Sequence, residues 1–378
     1  MTETVKPRCF DATDFESARQ ALARVLPVAE NDLPWRALEH AHQQLGASHA
    51  FAHSVGTALI VAELRVGADA VAAALLHDCL ADALATGAPP DTRPAGGLGA
   101  APVVVKFYRP ARWSDAAILE EHAFTTELAA REIPVVAPLA LNGATLKTHA
   151  GFRFAVYPKQ GGRMPEFDRA DTLQWMGRFL GRIHAVGALK DFVQRPALDI
   201  DTFGYASRDF LRAGNWLPSD LAPAWNSVVE HALASVAHCY ARAGTVRAIR
   251  LHGDCHAGNV LWTDAGPHFV DFDDSRMGPA VQDLWMLLSG ERDEQQAQIN
   301  EILTGYEDFA EFDPRELHLV EALRTLRLIH YAAWLARRWD DPAFPAAFPW
   351  FNTQQYWQAR ILELREQIAL MDEPPLVA

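Results

Sequence analysis

The chain has 378 residues, 49% of them hydrophobic and 22% charged, enough for two or three domains with a well-buried core. Its formal net charge of −14 argues against a general nucleic-acid or anionic-membrane surface, because clustered Lys and Arg hold those partners. It has no apolar run of about eighteen residues and no charged-then-apolar leader, and its cysteines, Cys9, Cys79, Cys239 and Cys255, are scattered, so a soluble, cytoplasmic, reduced protein is expected.

Helical periodicity covers residues 14–26 and 34–45, then the Ala-, Leu- and Val-rich stretches 54–64 and 69–85, separated by a turn at Val66-Gly67-Ala68. The leader therefore reads as an all-helical unit. From Phe51 to Asp78 it carries His53 and then the pair His77-Asp78, and in this it resembles the start of the HD phosphohydrolase domain of bacterial (p)ppGpp synthetase/hydrolases. That resemblance implies a divalent metal held by His53, His77 and Asp78. The family's distal Asp has no counterpart, since the chain turns into Ala88-Pro89-Pro90-Asp91, so residues 1–85 read as a truncated HD-like fragment. Residues 86–102, rich in Gly, Pro and Ala, read as a linker. Its Gly96-Gly97-Leu98-Gly99 lacks the G-x-G-x-x-G spacing and the preceding strand of a phosphate-cradling loop.

Val103 to Tyr108 is a β-branched run with Lys106 near its end, the pattern of a strand whose Lys holds the α- and β-phosphates of a nucleotide. A helix is expected from Ser114, placing Glu121 to pair with Lys106. Residues 133–139 and 152–158 read as further strands of the same small sheet, joined across Asn142-Gly143, with the second ending where a hinge would meet an adenine ring. Helices are expected over 171–186, 223–243, 281–289, 295–306 and 314–338. On the first of these His184 reads as a satisfied core histidine. Asp283 could hydrogen-bond a neighbouring loop backbone or cap its own helix. Arg324, Arg327, Arg337 and Arg338, set among Trp334, Trp339, Trp350 and Trp357, could line an acceptor groove or pack between helices.

The chemistry concentrates in His252-Gly253-Asp254-Cys255-His256-Ala257-Gly258-Asn259 and the following Phe269-Val270-Asp271-Phe272-Asp273-Asp274. The first run has the form H-x-D-x-x-x-x-N, the spacing of a phosphotransfer loop in which the Asp is the base and the Asn a metal ligand. That assigns Asp254 and Asn259. Asp271, at the end of a short apolar strand, supplies the second ligand for a hard, mostly hydrated Mg2+. A rival zinc site of His252, Cys255 and His256 lacks a second ligand pair at zinc-finger spacing. Cys255 in this loop is also a candidate for exposure to oxidants.

From Val103 to about Val377 the chain resembles the bacterial stress response kinase A family, in the aminoglycoside phosphotransferase and choline kinase group. The resemblance rests on Val104 to Pro110, Ile118-Leu119-Glu120-Glu121-His122, Leu251 to Asn259, Val270-Asp271 with Asp273-Asp274, and Gly278-Pro279-Ala280-Val281-Gln282-Asp283. It implies an α+β, bilobal protein-kinase-like fold with an N-lobe over 103–165 and a mostly helical C-lobe over 166–378. It also implies an ATP- and Mg2+-dependent, monomeric protein Ser/Thr kinase of stress response, with Asp254 as base, Asn259 and Asp271 on the metal, and Lys106 with Glu121 on ATP. The departure is at the front, where the helical leader stands in place of the family's first strands and phosphate-covering loop. Two alternatives stay open: a kinase of small amino-alcohols or aminoglycoside-like compounds, and a catalytically impaired nucleotide-binding protein.

Overall fold

The structure, a computed structural model, describes residues 14–24, 33–45, 55, 58, 103–109, 112–149, 152–340 and 343–378. In the leader it contains α1 (Phe15–Ala23), capped by Asp14 accepting the Ser17 N–H at 2.8 Å, and α2 (Leu33–Leu45). The HD-like set His53, His77 and Asp78, the glycine run at 96–99 and the question of what replaces the family's first strands lie outside the described residues.

The antiparallel sheet has the order β1 (Val103–Tyr108), β3 (Phe152–Pro158), β2 (Lys147–His149), with Lys106 opposite Ala155. Helix α3 (Asp115–Ala130) starts where Ser114 accepts the Ala117 N–H, as expected, and its Ile118 packs with Tyr108 and Ala155. Arg153 clamps strand to helix by donating to the Trp113 carbonyl at 2.8 Å and to Asp115 at 2.7 Å.

The expected strand over 133–139 is corrected. Its residues form one parallel bridge, Val135 to Phe269, and the stretch runs as an extended tie between β3 and the segment around Phe269. Val136 N–H donates to the Phe269 carbonyl, Phe269 N–H to Pro134, and Leu139 N–H to Val156. The physical reason is Pro134 and Pro138, which have no N–H to contribute to a ladder.

The remaining body is helical: α4 (Ala170–Gly187), α5 (Ala206–Ala213), α6 (Ala222–Ala243), α7 (Val281–Trp285), α8 (Arg292–Tyr306), α9 (Val320–Arg337), α10 (Ala343–Ala347) and α11 (Gln354–Asp372). One large core joins them, with Trp225 and Trp357 buried edge to face at 5.9 Å. A small sheet and its helix set against this body make the α+β, bilobal kinase-like architecture that the sequence implied.

Four short strands position the site. β4 (Ile249–Leu251) pairs with β7 (Arg276–Gly278), and β5 (Val260–Thr263) pairs with β6 (Gly266–Phe269). The pairings are nested, so the 252–259 loop and the 270–275 turn are each held at both ends and face one another.

Helices α4 and α8 cross at backbone contact. A Cβ on Gly177 would collide with the Ile302 carbonyl, and one on Gly305 with the Gln174 carbonyl. Gly305→Ala is therefore expected to destabilise the fold by about 3 kcal/mol. Urea denaturation of the full chain checks this, and an unchanged midpoint would contradict the close crossing.

Candidate active site

The 252–259 loop hangs on one carboxylate. Asp283, fully buried on α7, accepts the backbone N–H of His252 and of Gly253, each at 2.8 Å, one on each oxygen. Buried His184 lies 3.1 Å from Asp283 through Nε2 and 3.0 Å from the Tyr306 hydroxyl through Nδ1. Burial opposes ionisation of Asp283, yet the hydrogen bond and charge of His184, with His252 and the Gly253 N–H, hold its carboxyl below the usual range. His184 is thus the core histidine expected, and Asp283 takes the loop-binding role.

Gly253 has φ 86°, and a Cβ there would collide with the Asp274 carbonyl, so loop and acid turn approach more closely than a side chain allows. His252 Nε2 meets the Val270 carbonyl at 2.9 Å, which requires the proton on Nε2, and its Nδ1 then accepts the Asp254 N–H at 3.3 Å. Asp254 is left with its side chain partly exposed and Arg327 Nη1 2.6 Å from its Oδ1.

Facing the loop, Asp271 sits in the left-handed region at φ 60°, ψ 62°, a conformation uncommon for a non-glycine residue. Its Oδ1 meets Lys106 Nζ at 2.6 Å, and Asp273 lies 3.5 Å from the same ammonium. Burial disfavours the Asp271 carboxylate, but the Lys106 charge and hydrogen bond prevail and lower its pKa. Burial likewise opposes the Lys106 ammonium, and Asp273, Asp271 and Glu121 overcome it and raise its pKa.

The expected Lys106 to Glu121 ion pair is corrected: the ammonium contacts Asp271, and Glu121 contributes only at longer range. Glu121 is buried with one oxygen lacking a hydrogen-bond partner, and burial pushes its pKa up to about 7 despite Lys106 and Arg195. Near neutral pH it is a weaker anion than the ionised Asp271, so the ammonium favours the latter.

Arginines brace this turn. Arg112 pairs with Asp273 and, at 3.0 Å, with Asp274, while Arg276 reaches Asp274 at 2.9 Å. Buried Arg195 donates to the carbonyls of Ala117, Asp273 and Ser275. Glu120 on α3 accepts the N–H groups of Val193, Gln194 and Arg195, so the helix carrying Glu121 is tied to the acid turn.

A site for a hard divalent cation fits these residues. Val270 N–H donates to the Asn259 carbonyl at 3.0 Å, which sets Asn259 and Asp271 at the same open end of the β5–β6 hairpin. Asn259 Nδ2 donates to the Asp254 carbonyl at 2.9 Å, and its Oδ1 accepts no hydrogen bond among the described residues. A half-exposed carboxylate and an uncommitted amide oxygen are hard oxygen ligands of the kind that a phosphate-bound, hydrated divalent cation takes. Among the described residues no group of three or more His, Cys, Asp or Glu could hold a metal, so the zinc alternative is not formed. Cys255 is fully buried and burial pushes its thiol pKa well up, which corrects the expectation of an oxidant-accessible thiol.

Residues 83–320 match the APH phosphotransferase enzyme family. The chain belongs to that family. It is 48% identical over 273 residues to the stress response kinase A of Escherichia coli (strain K12), covering 72% of this chain and 82% of that protein. It is 46% identical, with the same coverage, to the serine/threonine protein kinase RdoA of Salmonella typhimurium (strain LT2). Solved structures agree on the fold alone. The amicoumacin kinase hAmiN, in complex with AMP-PNP, Ca2+ and Ami, matches with TM-score 0.55 at 19% identity over 73% of this chain and 83% of that one. A microcompartment-associated aminopropanol kinase matches with TM-score 0.51 at 16% identity over 71% and 85%. This is a phosphotransferase of the stress response kinase A type.

The structure of this phosphotransferase places Asp254 and Asn259 on the loop and Asp271 on the facing turn, with Lys106 reaching Asp271 from β1 and Glu121 buried. Sequence reasoning missed Arg112 and Arg195, whose partners lie 78 to 162 residues away and leave no local pattern. It named Arg327 without its partner.

Two outcomes follow from this geometry. Asp283→Asn keeps one acceptor oxygen for two N–H donors, and a loss of about 2 kcal/mol or more is expected by urea denaturation. For Glu121, a pKa raised from 4.5 to about 7 means that the folded chain holds a proton the unfolded chain releases, so stability falls as pH rises through that window. Wild type should lose stability relative to Glu121→Gln between those pH values in parallel melts, and a constant difference would contradict the raised pKa.

Proposed function

We propose that this chain transfers the γ-phosphoryl group of magnesium-bound ATP to a Ser or Thr hydroxyl of a protein. The observation that carries the reading is the facing pair: Asp254 on a loop hung from Asp283, and Asp271 on the opposing turn in contact with Lys106. Asp254 accepts the acceptor's hydroxyl proton as that oxygen bonds to the γ-phosphorus. The bond to the β,γ-bridging oxygen breaks, and ADP leaves with the electron pair. Lys106 binds the α- and β-phosphates. Asn259 and Asp271 hold the magnesium, which supplies neutralising charge at the phosphates. The buried Glu121, close enough for the two charges to interact, helps to keep Lys106 in this region.

The acceptor class rests on two supports. The relatives are named as stress response and serine/threonine protein kinases. Arg327 also places a permanent cation against the base, where a cationic amino-alcohol or aminoglycoside would call for acidic groups. The reading as an impaired binding protein is less favoured, because a carboxylate suited to be the base, two oxygen ligands suited to a metal and the Lys106 ammonium converge on one loop and its facing turn.

Asp254→Asn should lower phosphotransfer roughly a hundredfold or more with nucleotide binding retained. Asp271→Ala should remove the magnesium dependence of nucleotide binding. Turnover and equilibrium binding of ATP, with and without magnesium, check both, and full activity in either variant would sink the assignment.

A further inference from the structure

Asp254 has few anchors for a group whose orientation sets the reaction. Its carboxylate accepts no backbone N–H among the described residues, and its ion-pair partners there are Arg327, 2.6 Å from Oδ1, and His256 Nε2, 3.5 Å from Oδ2. His256 Nδ1 accepts the Gly258 N–H at 3.0 Å, so the ring turns its Nε2 edge to Asp254 at a distance too long for a firm hydrogen bond. Arg327 therefore fixes the carboxylate.

Arg327 reaches it from α9, 73 residues along the chain. Nearby arginines are committed elsewhere: Arg324 pairs with Glu321, and Arg360, whose charge like that of Arg327 acts on Tyr331, pairs with Glu363. Among the described residues Asp254 is the carboxylate that Arg327 pairs with, and the Arg327 side chain is 41% exposed. An ion pair this open adds little to stability, so its physical consequence is orientation rather than folding.

We propose that Arg327 is a positioning residue for the base: it holds Oδ1 of Asp254 so that Oδ2 faces the incoming acceptor hydroxyl. The inference rests on Asp254 being the base. Phosphoryl transfer through a loose transition state depends chiefly on alignment, and a displacement of about 1 Å can cost on the order of a hundredfold in rate. The charge is required at one point only, since a single guanidinium nitrogen makes the contact, so a lysine ammonium is able to restore part of the effect.

The test uses the full-length chain with magnesium-ATP, measuring phosphate transfer to dephosphorylated casein and ATP hydrolysis in parallel, with nucleotide affinity and melting temperature for each variant. Arg327→Gln is expected to lower kcat about thirtyfold or more. KM for ATP should stay within about threefold, and the melting temperature within about 3 °C. Arg327→Lys is expected to recover much of the loss, and Asp254→Asn with Arg327→Gln to be no slower than Asp254→Asn alone, because residues acting as a unit are not additive. A kcat for Arg327→Gln within threefold of wild type would overturn the proposal. So would a loss matched by lower nucleotide affinity and melting temperature, no recovery with lysine, or an additive double variant. Wild-type turnover in Asp254→Asn, or none in the wild type with either acceptor, would instead overturn the function on which the proposal rests.

Discussion

The site depends on the buried carboxylate of Asp283. Two backbone N–H groups of the 252–259 loop, from His252 and Gly253, converge on its two oxygens, and His184 with Tyr306 backs it from α4 and α8. A buried carboxylate is costly unless its lone pairs are met by donors, and here the donors are the loop itself. The cost of leaving Asp283 unpaired thus enforces the loop's conformation. Close helix packing at Gly177 and Gly305 keeps α4 and α8, and so His184 and Tyr306, in register behind it.

Around that node the charges fall into two groups. Arg112 and the buried Arg195 and Arg276 form a frame around the acid turn at Asp273 and Asp274, whereas Lys106 and Arg327 meet Asp271 and Asp254. Asp271 is the most exposed of these four carboxylates, and an exposed partner is exchanged at lower cost than a buried one. Glu120 and Arg195 extend the frame to α3, coupling the sheet side of the cleft to the acid turn.

Much of this was legible in the sequence because the informative signals were local. The H-x-D-x-x-x-x-N spacing, the strand ending near Lys106, the Ser114 start and the helical periodicities each depend on residues a few positions apart. Asp283 was legible as a candidate because it sits one turn into a helix following Gly278-Pro279. The failures share a cause: local pattern does not rank distant partners. Lys106 was matched to Glu121, but burial weakens that anion and Asp271, 165 residues away, takes the contact. Cys255 lies between polar residues in sequence, yet it is buried in the main hydrophobic core. The apolar run over 133–139 resembled a strand, and only the missing N–H groups of its prolines argued otherwise.

The central claim is that the γ-phosphoryl group goes to a protein hydroxyl. It is tested most directly by following the label. The full-length chain is incubated with magnesium and γ-labelled ATP in a mixture of dephosphorylated protein, choline and an aminoglycoside, and the phosphorylated products are separated by size and hydrolysed. The account predicts label in phosphoserine and phosphothreonine of protein. Label accumulating in small phosphoesters, with protein left unlabelled, would contradict it.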